Sequence, residues 1–515
     1  MSKSQLNVNS LLSNSTSFLG PAALEKSLES VRKVIDSIKT SFGPLGLDKM
    51  CIDASGDIFI SNDGATIISN MTIDDPICKM LVNLALEQDK EVGDGTTSVV
   101  LFAYYLIEEA YNLIKNYNIH PSVIVSGYRE AFNKAVEFIK NKMIVKIDGQ
   151  PDIISAIVKT SISSKIIGEE TEMVTSFIQN IITRNHLNDS LKVSKYLGGS
   201  IKDSSLYKGM ILNCPKASPL MPSRIENCKI LLCDLSIDKE KMPLSVNINA
   251  RPEDIEAIRQ KEIDLTKEKC QTIIDSGTNL LLCSGSIDEL CVKMFIDHKV
   301  VAVKRVSKED LEVIAKVTNS KIHTKILDKN QPTKINLYEE IEFGEYKLGY
   351  LDIDMSTILI KGPNKQICDE VDRSLNDAIQ VAKAVLNNKS ILPGGGCVES
   401  VLNIYLNKYA SELVSKDYVA IHGYADSLKK VVKQLCANAD VDSGVILSEL
   451  FTRNSIGIEE SMFYGLDLNS VTVQDNISHR VIEPAIYKLK ALKAATEAAI
   501  SIVRINEVID FSEKK

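Results

Sequence analysis

The 515-residue sequence contains no run of eighteen apolar residues, no Lys/Arg-rich tract, no Cys-x-x-Cys pair and no Gly-x-x-x-x-Gly-Lys-Ser/Thr loop. Each absence excludes something. Without the apolar run, no helix is expected to cross a membrane. Without basic tracts, and with a net charge of −8, nucleic acid is not expected as a partner. The eleven cysteines are scattered, and the closest two, Cys228 and Cys233, lie inside an apolar strand-like run. That is the pattern of reduced, buried thiols, not of a disulfide framework. Six histidines show no metal-ligand spacing. The N-terminal stretch, rich in Ser and Asn, has no basic start followed by an apolar block, so a soluble, unexported, cytoplasmic protein is expected. The missing loop and the missing protein-kinase signatures argue against a small-molecule phosphotransferase.

What is present is 44% hydrophobic residues in a chain longer than one core usually spans, so two to four domains are expected. The most informative segment is Gly93-Asp94-Gly95-Thr96-Thr97-Ser98. Upstream, Ile77, Met80, Leu81 and Leu84 recur at helical spacing; downstream, Val99, Phe102, Leu106, Ala110 and Leu113 do the same. The break is a junction between two helices, where glycines let backbone approach an anion and the N–H groups of a helix start stabilise phosphate. Asp94 is itself negative, so beside phosphate its role is to hold a bridging divalent cation. For this segment alone, simple helix capping by Asp94 or Thr96 is the alternative.

Along the chain, the first twenty residues are expected to form a loose polar tail. A helix follows from Ala22 to Ile38, then a hairpin of Lys49 to Asp53 and Asp57 to Ile60, then long helices as far as Lys146. The middle changes character. Lys229 to Leu235, Asn279 to Cys283, Val300 to Val306 and Ser356 to Lys361 read as strands among helices, an α/β pattern. After Pro393 the chain returns to helices, ending with one that follows Pro484 and a short strand from Ile505 to Phe511. Basic residues at Lys488, Lys490 and Lys493 read as a solvated face.

Three more segments share the character of the first: Ser41-Phe42-Gly43-Pro44-Leu45-Gly46-Leu47-Asp48-Lys49, Asn62-Asp63-Gly64-Ala65-Thr66 and Leu392-Pro393-Gly394-Gly395-Gly396. Together the four resemble the signature segments of the chaperonins, specifically the group II branch of archaea and the eukaryotic cytosol, and the resemblance runs from about residue 20 to about residue 510. Gly127-Tyr128-Arg129, Thr160 to Gly168, Lys267-Glu268-Lys269 and Ala491 to Ile500 resemble one particular paralogue among the eukaryotic subunits.

The resemblance implies a multi-domain chaperonin fold. A mainly α-helical equatorial domain would be built from both termini (1–146 and 397–515). A small α/β intermediate domain would come from two pieces (147–209 and 363–396), and an α/β apical domain with a helical protrusion from 210–362. It implies binding of ATP and Mg2+, with Asp94 as metal ligand and with Asp63 and Asp377 positioning and activating the water. Gly43, Pro44, Gly64, Gly95, Thr96, Thr97 and Ser98 would surround the nucleotide, Lys165 would sense its terminal phosphate, Gly395 would lie against it and Glu483 would meet the ribose. Asp377 would come from a different domain than Asp94. Asp440 stands where the family usually has a small residue, near the base, which puts that contact in doubt. The charged helix from Pro252 to about Thr266 matches the protrusion that forms a built-in lid. The amphipathic stretch Ile287 to Phe295 lies where members bind unfolded clients; client contact is assigned to the surface as a whole, and core packing is the stronger reading for Leu290 and Met294 individually. Implied partners are paralogous subunits in a hetero-oligomeric double ring, eight to a ring, and unfolded proteins such as actin and tubulin; no nucleic acid and no membrane. A nucleotide-binding scaffold subunit with little hydrolysis of its own is the second reading.

Overall fold

A computed structural model describes residues 16–19, 21–52, 56, 58–73, 75–147, 151–184, 190–238, 252–325, 331–456, 462–468 and 470–510. The chain divides into two compact units, one made of residues 1–179 and 369–515, the other of 180–368. The first therefore joins the two ends of the chain.

The core of the first unit is a layer of helices around Thr96–Tyr117, which buries thirteen residues from Thr96 to Leu113. Val99, Val100, Leu101, Ala103, Leu106 and Ala110 are fully or almost fully enclosed, so this helix is apolar nearly all round, as a central helix must be. Packed in the same cluster are residues of Pro21–Ile38, Pro76–Val92, Pro121–Phe138, Cys397–Glu412, Tyr418–Asn438 and Ala485–Val503. Three rings lock chain segments far apart in sequence. Tyr424 meets Phe102 and Tyr128 edge-on, with centroids 5.5 and 5.6 Å away. Such pairs contribute about 0.5–1.5 kcal/mol each beyond their buried area. The Tyr128 hydroxyl donates to the Leu106 carbonyl at 2.9 Å, and the Tyr424 hydroxyl pairs with Thr496 at 2.9 Å.

Short sheets supply the edges of this unit. Lys49–Ile52 pairs antiparallel with Ile58–Ser61, the expected hairpin. A three-stranded sheet runs Ile482–Pro484, Ser390–Pro393, Val145–Lys146, and sets Leu392 opposite Glu483. Thr16–Leu19 pairs antiparallel with Glu507–Asp510. This corrects the expectation of a loose N-terminal tail for residues 16–19: the strand's partner lies at the far end of the sequence, where no local pattern could reveal it. The remainder of that tail lies outside the described residues.

The second unit is built on an eight-stranded mixed sheet, ordered Leu191–Leu197, Tyr346–Gly362, Thr333–Phe343, Arg224–Cys233, Leu280–Cys283, Val301–Val303. Ser205–Leu212 pairs with Tyr346–Gly362, and Ile322–His323 with Arg224–Cys233. Where Arg224–Cys233, Leu280–Cys283 and Val301–Val303 run parallel, their residues are continuously apolar and buried, as strands covered on both faces require. Pro252–Asp275 is a single helix of 24 residues. Glu289–Asp297 is a second helix, capped by Asp288, with Cys291 and Phe295 buried and Leu290 and Met294 half-buried. All eleven thiols are free, and nine are buried. Among the described residues no helix is long and apolar enough to cross a membrane.

Candidate active site

The first unit encloses a cavity of about 900 Å³. Gly43, Pro44, Asp63, Asp94, Gly95, Thr96, Thr97, Ser98, Lys165, Asp377, Gly395 and Glu483 all line it. Gly64 does not. It sits behind the wall, where an added Cβ would fall 2.5 Å from the Thr97 hydroxyl, so this glycine permits two helix starts to touch. Asp440 does not reach the cavity either; it is exposed and in left-handed backbone at φ 55°. Its neighbour Asn438 instead holds the Gly43 loop, donating to the carbonyls of Lys39 and Phe42 at 2.7 Å each.

The helix–helix junction is built as its glycines require. Gly93 closes Pro76–Val92 at φ 76°, and Gly95 opens Thr96–Tyr117 at the same φ, a left-handed pair that a side chain would strain. Among the described residues no side chain caps the Thr96 helix, so its first N–H groups are left for a ligand. Capping by Asp94 or Thr96 is thus not what this junction does. Asp94 turns one oxygen back to the Gly95 N–H at 2.6 Å and accepts from the Ser161 hydroxyl at 2.9 Å with the other. Gly395, at φ 65°, is pressed so closely that a Cβ would stand 2.1 Å from the Leu466 carbonyl oxygen.

Asp63 is the true capping residue. It accepts from Thr66 N and Thr66 Oγ1 at 2.8 and 2.7 Å, from Ala65 N at 3.4 Å, and from the Thr96 hydroxyl at 2.7 Å. Those bonds occupy most of a carboxylate's acceptor sites. Asp377 differs: its side chain ion-pairs with Lys165. Burial raises its carboxyl, Lys165 pulls it back, and the Asp94 and Asp63 charges push it up again, leaving it at about 7. For Lys165, burial alone would lower the ammonium, but Asp377, Asp94 and Asp63 together raise it to about 12. The resemblance implies different domains for Asp377 and Asp94, and both lie within the first compact unit. Leu375, Ala378, Ile379, Ala382 and Val385 form the buried stripe of the helix Lys365–Asn388, and that stripe sets Asp377 toward the cavity.

A second charged group lines the same cavity. Lys488 sits between Glu399 at 2.7 Å and Glu483 at 3.3 Å. Burial raises the Glu483 carboxyl, Lys488 opposes the rise and Glu399 adds to it. The expectation of a solvated face at Lys488, Lys490 and Lys493 fails for the first of the three. A signal was available: Lys488 lies in register with Leu492, Ala495 and Ala499, at steps of four, three and four along the buried stripe. Glu399, Tyr487, Ser161 and Asn62 also escaped assignment. Asn62 Nδ2 donates to Gly46 O at 3.2 Å and Ser164 O at 2.8 Å, tying the Gly43 loop to the loop that carries Lys165.

These features fit a nucleoside triphosphate with Mg2+. An uncapped helix start faces the cavity, glycine backbone comes close, and one carboxylate beside them can hold a metal. Among the described residues no three His, Cys, Asp or Glu side chains are grouped to bind a metal by themselves. Mg2+ commonly takes one or two protein carboxylates and completes its shell with phosphates and water.

A helical unit joined to a unit with a mixed sheet is consistent with a multi-domain chaperonin fold, and the sequence comparisons show the family. The profile of the TCP-1/cpn60 chaperonin family matches residues 34–513, and the chain belongs to that family. It is 42% identical to the T-complex protein 1 subunit alpha of Encephalitozoon cuniculi, over 98% of each chain. It is 37% identical to the protein of the same name in Dictyostelium discoideum, over 94% of this chain and 93% of that one. To the thermosome subunit beta of Aeropyrum pernix it is 36% identical, over 95% and 92%. The paralogue suggested by the sequence segments is the alpha type that these eukaryotic relatives carry.

Proposed function

We propose that this chain is an ATP-hydrolysing subunit of a cytoplasmic double-ring chaperonin, in which hydrolysis drives lid closure and assists the folding of proteins such as actin and tubulin. The observation that carries the reading is the convergence of Asp94, Asp377 and Lys165, from three distant stretches of chain, on the cavity that also receives the uncapped Thr96 helix. Bound Mg2+ would supply charge neutralisation between Asp94 and the phosphates. Thr96, Thr97 and Ser98 offer hydroxyl and backbone donors to phosphate oxygens. Glu483 offers acceptors for ribose hydroxyls. Asp377, raised toward neutrality by its surroundings, accepts a proton from the attacking water and aligns it. Lys165 holds Asp377 in place until a phosphate competes for its ammonium. Asp63, whose acceptors are largely taken, acts as the brace that fixes Thr96 and the start of Gly64–Ser69, leaving Asp377 as the stronger candidate base.

Assembly into rings is supported by the relatives, named as subunits of T-complex protein 1 and of thermosomes. It is also supported by the hairpin: Met50 and Ile52 are exposed to 69% and 68%, and Ile58 is exposed beside them. An apolar two-stranded surface of this kind marks an interface. The domains are read as 1–146 with 397–515, 147–209 with 363–396, and 210–362. The helix Pro252–Asp275 is read as the lid, and the surface around Glu289–Asp297 as the client site.

The test is Asp377→Ala in the assembled complex, measuring ATP turnover, refolding of a denatured client and ring closure by electron microscopy. Loss of turnover and closure with retained nucleotide binding supports the reading. Unchanged ring ATPase and folding would favour the second reading, a nucleotide-binding scaffold subunit.

A further inference from the structure

Among the described residues, nine buried side-chain N and O atoms lack a hydrogen-bond partner, and two of them belong to residues on the cavity wall: Asn62 Oδ1 and the Tyr487 hydroxyl. The Asn62 atom is an acceptor and has nothing to offer an anion. The phenol is a donor. Tyr487 is only 7% exposed and projects from the first turn of the helix Ala485–Val503, beside Lys488 and four residues after Glu483. A buried hydroxyl without a partner is costly to keep, so one that faces a cavity is a site for a ligand atom.

The neighbouring carboxylates have not claimed it. Asp94 takes Gly95 and Ser161, and Asp377 takes Lys165. Both are nonetheless close enough to act on the phenol: burial first, then the charges of Asp94 and Asp377, hold its proton firmly on. The hydroxyl is thus a neutral donor on the wall of the cavity that Asp94 and Asp377 also line, and it is hydrogen-bonded to neither aspartate. We propose that the Tyr487 hydroxyl donates a hydrogen bond to a phosphate oxygen of the nucleotide. The proposal rests on the reading that this cavity takes a nucleotide.

The experiment is calorimetric titration of the purified full-length chain with Mg·ATP and with adenosine, for the unaltered protein, Tyr487→Phe and Tyr338→Phe. Tyr338 is another buried phenol with an unpartnered hydroxyl, in the core of the second unit, and serves as control. Thermal melts without nucleotide accompany each. Tyr487→Phe is expected to weaken Mg·ATP by about tenfold to a hundredfold, the range for a hydrogen bond to a charged acceptor. It should leave adenosine binding and the melting temperature unchanged, or raise the latter. Unchanged Mg·ATP affinity overturns the proposal, as does an equal loss for adenosine, which would place the hydroxyl at the sugar or base. A lower melting temperature without nucleotide overturns it too, since the hydroxyl would then serve the fold. Failure of the unaltered protein to bind Mg·ATP at all defeats the nucleotide reading itself, a distinct result.

Discussion

Two largely enclosed lysines face one cavity, and their settings differ. Lys165 sits on a loop, just before the short turn Ile166–Glu170, with one carboxylate in contact, that of Asp377. Lys488 sits on the 19-residue helix Ala485–Val503, with two carboxylates in contact, Glu399 and Glu483. A charge on a loop with a single partner can be exchanged for another anion when one arrives. A charge on a packed helix between two partners is held, and it keeps two acids side by side. On the proposed function, Lys165 would be the residue that responds to phosphate and Lys488 the one that maintains the site.

The comparison breaks most severely at the partner of the movable lysine. Asp377→Ala is expected to lower ATP turnover by about 10²- to 10⁴-fold, the range for losing a general base, with a much smaller change in KM. Steady-state kinetics checks it. Asp63→Ala should instead show itself largely as lost stability, about 1 kcal/mol for the cap, and as a raised KM through the loosened Thr96. If Asp63→Ala abolishes turnover while Asp377→Ala spares it, the two aspartates have been given each other's roles.

Next in size is the fixed lysine. Lys488→Met leaves the buried Glu399 and the half-buried Glu483 without their cation, and breaking a buried pair on one side costs about 3–5 kcal/mol, an upper bound here because Glu483 keeps some solvent. Lys165→Met should cost less, because Asp377 already holds its proton up to about pH 7 and can neutralise itself. Denaturant melts of the two variants at pH 7 would rank them. An equal loss would mean that the loop is as rigid as the helix.

Much of this site could be read along the chain, and the limits have physical causes. Gly93, Gly95 and Gly395 announce themselves because left-handed backbone favours glycine, most of all where, as at Gly93 and Gly395, a Cβ would also be crowded. Asp94 follows from its place between two of them. The final helix and the hairpin follow from period and turn chemistry. What stayed hidden depends on partners remote in sequence. Thr16–Leu19 is a strand because Glu507–Asp510 lies beside it, and Lys488 is largely enclosed because Glu399 is there to meet it. Asp63 has a structural part that the sequence reading did not give it: it caps Gly64–Ser69, a role that an acid just before a helix start could have suggested.

Acidity sharpens the comparison further, because stability and turnover move in opposite directions through one group. The carboxyl of Asp377 lies at about 7 in the folded protein, well above the ordinary value of about 3.9. The folded state thus binds that proton more tightly than the unfolded state. Through this group, stability falls as pH rises from about 4 to about 7, and the cost is complete above that. Activation of water needs the ionised form, so kcat/KM should rise through pH 7 and then level off. Asp377→Asn should remove both the rising limb of kcat/KM and this part of the stability profile. A limb that persists in the variant belongs to another group.

The smallest effect is expected two residues beyond the fixed lysine. Lys490 lies on the same helix and pairs with Glu91 at 2.9 Å, but both are substantially exposed, at 36% and 64% of their side-chain surface. Water already solvates these charges, and the pair must hold two long side chains in one geometry, so its contribution is close to nothing. Lys490→Met should leave the melting temperature, turnover and their pH dependence where they are, while Lys488→Met moves the first by many degrees. Helix propensity and formal charge change identically in the two variants, and only burial differs. A scanning melt of the pair therefore isolates what enclosure adds to a lysine. If Lys490→Met proves as damaging as Lys488→Met, the damage comes from the charge of the helix as a whole and not from the acids that Lys488 holds.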